Sequence, residues 1–508
     1  MSSKSRKILL GFLAFLLLLS MAVAAEESDD ASRKLGINGY AFWQFGQIVK
    51  GFDRDKDKGG PINLAWQNGV LIGLMFKAQP NDHLGLVISP EFYLNYPYPQ
   101  AKRDPASARP SGTTYINEAY GKFSFGNAEN PFLQAKLGMF AFKYNPDGRN
   151  FGDYLFRTGT YPTWIITNFD FPAARLLGLQ LSSDPLNLQH IFNLHADLLF
   201  TSEAFIYPFG DFSLTGIVTG KLFDAIELGA GIDFARLLSV TDSLTSPKVV
   251  YNDPNTNNPN EYLTSKGVPD YYSFKATKAM ARAAIDPKVF FGSPKFFGPE
   301  DLKLYGEVCW VGIGGYDEYP NDTLDTLKNF TYRPWYKSIN ERTPRMIGFN
   351  WPTHPLLSYL ILPGISSYFL SKKLTPTLIG TGTGLVSGMG LWLLERHFGI
   401  KTGLDVLSFE LEYFPYAYPN DYRGHVFSRS PMPFFDYGLD SYKRDEWNKG
   451  ALRWSFYARK MIINGFSVTG EAAFDHLRTN NIDGSTREYE CLTEKGHWHW
   501  NAKFSYAF

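Results

Sequence analysis

Apolar and polar residues alternate along most of this chain with the two-residue period of a β-strand. At the C-terminal end, Trp498, Trp500, Ala502, Phe504, Tyr506 and Phe508 fall on one register, and His497, His499, Asn501, Lys503 and Ser505 on the other. Successive side chains of a strand point to opposite faces, so this stretch has one aromatic face and one wet face. The same rule sets Leu84, Leu86, Ile88, Phe92 and Leu94 against Ser89, Glu91 and Asn95. It also sets Leu407, Phe409, Leu411 and Tyr413 against Ser408, Glu410 and Glu412, and Leu452, Trp454, Phe456 and Ala458 against Arg453, Ser455, Tyr457 and Arg459.

Along the whole chain the pattern predicts about sixteen strands, near residues 35–45, 64–77, 84–95, 115–125, 133–143, 175–181, 191–200, 212–221, 226–234, 272–284, 302–313, 345–351, 404–413, 452–459, 466–475 and 494–508. Tight turns such as 79–82 alternate with long loops such as 97–112. That asymmetry predicts an all-β fold, a transmembrane antiparallel up-and-down β-barrel. A charge facing lipid at the midplane costs about 2–4 kcal/mol, so the charged register must face the lumen. A soluble sandwich would alternate as well, but it would need a second layer over each apolar face.

One stretch breaks the rhythm. Residues 355–394 hold two apolar runs joined by Lys372, Lys373 and Pro376; neither alternates, and Pro or Gly interrupts both. They are too broken for spanning helices. A helical hairpin inside a periplasmic-side apolar insertion, 352–402, is the expectation. The alternative is two extra strands, which would make eighteen.

Composition narrows the compartment and the chemistry. Lys4, Arg6 and Lys7 precede an apolar run from Ile8 to Ala22, and Ala22, Val23 and Ala24 supply a small-x-small cleavage site. Residues 1–25 therefore read as a cleaved secretory signal peptide, and 26–508 as one barrel. Basic and acidic residues balance at 50 each, which argues against a nucleic-acid partner. Two cysteines, Cys309 and Cys491, cannot make a disulfide scaffold and read as free thiols. Asp53, Asp55 and Asp57 have the opening spacing of a calcium loop, but Lys58 stands where its glycine belongs and Leu64 where its glutamate belongs. No hydrolase, zinc-protease or phosphate-loop motif is complete, so no enzyme, metal or cofactor is expected.

The leader, the terminal aromatic strand ending on Phe508 and the loop rhythm together resemble the porin-like outer-membrane β-barrel proteins of diderm bacteria. The resemblance implies a multi-pass barrel in the cell outer membrane, surrounded by outer-membrane lipid and placed there by the barrel assembly machinery. Phe504, Tyr506 and Phe508 would carry the assembly signal. It implies passive diffusion of small hydrophilic solutes, and leaves a homotrimer open. In sixteen-stranded porins the third long loop folds into the lumen, and 144–171 occupies that place here. Its Asp147, Arg149, Asp153 and Arg157 would give a pore constriction both signs of charge. Lumen-lining charges are expected at Glu91, Glu118, Lys122, Lys136, His195, Asp197, Arg282, Lys303, Glu307, Glu410, Glu412, Arg453 and Arg459. The rival reading is a closed or plugged barrel whose long extracellular loops bind a surface ligand, such as a polysaccharide or another cell.

Overall fold

A computed structural model of the chain describes residues 34–52, 61–95, 111–127, 130–157, 165–168, 171–188, 191–202, 212–238, 251–252, 262–263, 276–292, 297–311, 313, 339–354, 397, 403–413, 452–474, 477–480, 488–491 and 498–508. The leader expected over 1–25 lies outside the described residues. So does the insertion expected over 352–402, apart from 352–354 and 397.

The alternating stretches form the strands β1 (Lys34–Phe52), β2 (Pro61–Asn81), β3 (Leu84–Asn95), β4 (Ser111–Gly126), β5 (Pro131–Phe142), β6 (Phe171–Asn187), β7 (Phe192–Ser202), β8 (Phe212–Leu222), β9 (Ile226–Leu238), β10 (Ala276–Ile285), β11 (Leu304–Val311), β12 (Arg345–Asn350), β13 (Val406–Tyr413), β14 (Leu452–Ile463), β15 (Phe466–Phe474) and β16 (Trp498–Ala507). Each pairs antiparallel with the next, and β16 pairs with β1 from Tyr40 opposite Ala507 to Lys50 opposite Trp498. The result is a closed sixteen-stranded up-and-down barrel. A further short strand, Ile165–Asn168, pairs with β6 alone. Because β12 pairs directly with β13, the ring has no place for the two extra strands of the eighteen-stranded alternative. Closure leaves no unpaired backbone edge in the ring.

The two registers separate as the alternation requires. Outward positions are apolar and exposed, among them Ile88 at 52%, Leu137 at 57% and Leu228 at 59%. Aromatic pairs bind the closing seam on this face, with Trp43 stacked on Phe504 at 5.5 Å and Phe45 edge-on to Trp500 at 5.9 Å. Such pairs contribute about 0.5–1.5 kcal/mol each beyond the area they bury. Inward positions carry the buried polar and charged side chains, including Glu91, Glu410, Glu412, Arg453 and Lys503, together with an apolar patch at Phe140, Leu176, Leu199 and Met280.

Some boundaries move for local reasons. The first tight turn falls at Asp82 and His83, because the Asn81 side chain accepts the backbone N–H groups of His83 (3.0 Å) and Leu84 (2.8 Å). β11 starts later than expected because Leu302 takes φ 63°, a left-handed conformation that no strand continues through. Lys303 consequently sits in the connection before β11 and not on the strand.

Candidate functional site

The chain leaves β5 at Lys143, on the long-loop rim, and turns into the barrel. From Tyr144 to Phe156 every residue but Pro146 is buried. Phe151, Leu155 and Phe156 pack with Tyr144 and Tyr154 against the inward side chains Phe140, Leu176, Leu199 and Met280. Burying each large apolar side chain favours this position by about 1.5–3 kcal/mol.

Buried backbone needs partners, and carboxylates on the far wall supply them. Glu307 on β11 accepts hydrogen bonds from the Tyr144 hydroxyl (2.6 Å), the Asn145 amide (2.7 Å) and the backbone N–H groups of Asp153 (2.9 Å) and Tyr154 (2.8 Å). Glu410 on β13 accepts the N–H groups of Arg149 (2.6 Å), Asn150 (2.8 Å) and Phe151 (2.9 Å), and the Tyr305 hydroxyl (2.8 Å). Glu412 accepts the Tyr154 hydroxyl (2.6 Å) and pairs with Arg453 (3.2 Å). Within the loop, Asp153 accepts the N–H groups of Tyr144 (3.2 Å) and Asn145 (3.0 Å) and pairs with Lys143 (2.7 Å).

Two glycines make this grip geometrically feasible. Gly152 takes φ 87°, and a Cβ there would come within 3.0 Å of the Glu307 carboxylate that the next two N–H groups address. Gly348 on β12 lies under the Tyr305 ring, whose carbons come within 2.2 Å of where a Cβ would stand. The ring can therefore lie across the neighbouring strand and deliver its hydroxyl to Glu410.

The loop tip reaches the opposite rim. Arg149 pairs with Glu300 (3.2 Å) and Asp147 with Lys303 (3.4 Å), both in the connection between β10 and β11 on the short-turn side. The Arg149 guanidinium also lies 5.6 Å from the Tyr457 ring centre. Burial alone would lower the pKa of Lys303, but Asp147 and Glu300 outweigh it and hold the ammonium above its ordinary 10.5. Burial, reinforced by the Glu307 carboxylate, pushes the Tyr144 hydroxyl well above its ordinary range. Lys278, fully buried, pairs with Asp233 (3.1 Å) and donates to the Leu155 carbonyl. Free Cys309 is buried in the same cluster.

Of the residues expected at a constriction, Asp147, Arg149 and Asp153 are therefore buried and ion-paired. Arg157 closes the short helix α1 (Tyr154–Arg157), and its side chain lies outside the described residues. Among the expected lumen residues, Glu307, Glu410, Glu412 and Arg453 grip the loop, and Lys303 meets its tip. The others line the wall away from it. Arg282 pairs with Glu227, Glu91 accepts the Tyr40 hydroxyl, and Glu118 accepts the Ala141 N–H (2.8 Å). His195 lies between Asp184 (2.6 Å) and Asp197 (3.0 Å), and Arg459 faces inward on β14 opposite Thr469. Lys122 and Lys136 stand directly opposite each other on β4 and β5. The alternation puts Lys77 of β2 on the same inward register, opposite Val87, and sequence reasoning missed it. Among the described residues, these three lysines are half-buried or exposed and have no ion-pair partner. Glu300 and Tyr305 were missed as well. No cluster of His, Cys, Asp and Glu among the described residues could hold a metal ion.

No family model and no curated protein matches the chain. Solved structures of bacterial porins are similar to it in outline. A mutant of the Rh. blastica porin matches with TM-score 0.39 and 8% identity, over 94% of this chain and 100% of that one. OmpF of Salmonella typhi, in complex with daunomycin, matches with TM-score 0.40 and 9% identity, over 94% and 98%. OprB of Pseudomonas putida at high pH matches with TM-score 0.42 and 10% identity, over 94% and 95%. At these TM-scores the assignment of the fold rests on the chain's own closed ring.

Proposed function

We propose that the protein is an outer-membrane channel through which small hydrophilic solutes diffuse, small anions more readily than cations. One observation carries the reading. The closed ring is apolar outside and polar inside, and its inner wall bears Lys77, Lys122 and Lys136 without ion-pair partners among the described residues. The outer register suits lipid, because exposed apolar surface of this extent in water would drive association. Inside, the charges of the loop cancel in pairs, Asp147 with Lys303, Arg149 with Glu300 and Asp153 with Lys143. On the wall, Lys77, Lys122 and Lys136 face the passage, with Glu118 and Asp197 near enough to act on Lys136. Like charges directly opposite on neighbouring strands disfavour each other; Glu118 offsets this at Lys136, and an anion between Lys122 and Lys136 adds to that relief.

A second reading has its own support. Asn150, Phe151 and Leu155 are fully buried, so the loop fills its part of the lumen, and a stoppered barrel whose outer loops bind a ligand would also pack this way. Planar-bilayer recording in a KCl gradient separates the readings. The channel reading expects stepwise conductance and a reversal potential of the sign for chloride preference. A cation-selective potential overturns the anion preference, and folded protein without conductance favours the stoppered barrel.

A further inference from the structure

The connection from β10 to β11 carries two sets of contacts that point in opposite directions. Glu300 and Lys303 reach into the lumen and hold the loop tip at Arg149 (3.2 Å) and Asp147 (3.4 Å). Between them, Asp301 turns the other way and is fully buried. Its carboxylate accepts the Gly298 N–H (2.8 Å), the Thr353 N–H (3.0 Å) and the Thr353 hydroxyl (2.9 Å). Its own carbonyl accepts the Lys288 ammonium. Asn350, the last residue of β12, completes the joint: its amide donates to the Glu300 carbonyl (3.0 Å) and its backbone exchanges hydrogen bonds with Leu302 and Lys303 (2.9 Å each). Leu302 sits inside this frame at φ 63°. A leucine pays for that conformation in strain, which persists only where surrounding contacts over-determine it.

Among the described residues none of the Asp301 hydrogen bonds is with the loop, yet Glu300 and Lys303 on either side of it are the loop's lower anchors. We propose that Asp301 is a positioning residue for the lumenal loop. It fixes the 298–303 segment as a bracket, so the placement of Thr353, where the chain departs towards the 355–402 segment, is transmitted to Arg149 and Asp147. The consequence for solute flow rests on the channel reading above; the bracket itself does not.

The test reads loop exposure directly. Asn150→Cys places a thiol at the fully buried loop tip, and a small water-soluble maleimide reports its exposure by mass at that peptide in the folded, heat-modifiable barrel. Asp301→Ala should speed labelling about tenfold, the loss of roughly one hydrogen bond's worth of docking free energy. Asp301→Asn keeps an acceptor and should rescue most of that. With Glu300→Ala and Lys303→Ala already in place, Asp301→Ala should add nothing, because the path is cut. Unchanged labelling in Asp301→Ala overturns the proposal, and so does an equal speeding in the Glu300→Ala, Lys303→Ala background. Should Asp301→Ala not yield a folded barrel, Thr353→Val, which removes one hydrogen bond of the joint, is expected to give a smaller rise. Failure of that variant to fold would make the joint a folding element and also overturn the proposal. Asn150→Cys protein that labels as expected in every background but carries no current would sink the channel reading alone.

Discussion

Glu307 accepts four hydrogen bonds from residues that lie 153–163 positions earlier in the chain. Replacing it by alanine leaves those donors buried with no acceptor, at about 1–3 kcal/mol each. The loop can escape that cost by leaving the wall, whereas the ring keeps its backbone ladder. Glu307→Ala is therefore expected to yield a folded, heat-modifiable barrel with higher conductance and with new proteolytic cleavage in 144–157; unaltered conductance and protection would show the carboxylate to be dispensable. The lysines make the opposite kind of residue-scale prediction, because among the described residues they make no ion pair and Lys136 touches only the Tyr120 and Phe140 rings. Lys122→Gln with Lys136→Gln should leave folding intact and move the reversal potential towards cations. The shift should be larger in dilute salt, since screening reaches only about 10 Å at 0.1 M and about 30 Å at 0.01 M. A potential that stays put at both concentrations would remove these lysines from the conduction path.

At the scale of elements, β11, β12 and β13 work as a unit in which Gly348 lets Tyr305 cross to Glu410. Gly348→Val should displace the ring and cost Glu410 one of its donors. Labelling of a buried loop-tip cysteine should then speed up while the barrel stays folded, and protection equal to wild type would count against the crossing. Strands and their faces were legible in the sequence because the alternation holds at every second residue, as in Leu407 to Tyr413 or Leu452 to Arg459. The inward turn of the third long loop was legible only by resemblance. Which inward carboxylates would hold it was not, since Glu410 and Glu412 look alike in sequence and their partners are set by ring geometry. The anchor at Lys303 was hidden for another reason. Leu302 is not a residue type that announces a left-handed bend, so the strand was expected to run through it. Lys77 shares the parity of Leu71 and Gly73, but it stands next to the turn signal at Gln79 and Pro80, where the pattern of a strand fades.

At the scale of the whole molecule, everything depends on ring closure. Phe508 exchanges backbone hydrogen bonds with Gly39, 2.8 and 2.7 Å, and its ring covers that glycine on the outer face. Phe508→Asp would set a charge on the lipid side of the seam, so the amount of heat-modifiable barrel in the membrane should fall while export continues; an undiminished folded fraction would refute this. The loop adds an order of events to that closure. Its backbone is held by Glu410, which arrives 259–261 residues later in the chain. Contacts of such separation form late, because the intervening chain must be ordered first. Until β13 joins the ring, Arg149, Asn150 and Phe151 lack the carboxylate that accepts their N–H groups, although Glu307 on β11 already holds Asp153 and Tyr154. Under the channel proposal the loop tip is therefore the last part of the lumen to be set, and the speed with which β13 to β16 are added determines how long the passage stays unfinished.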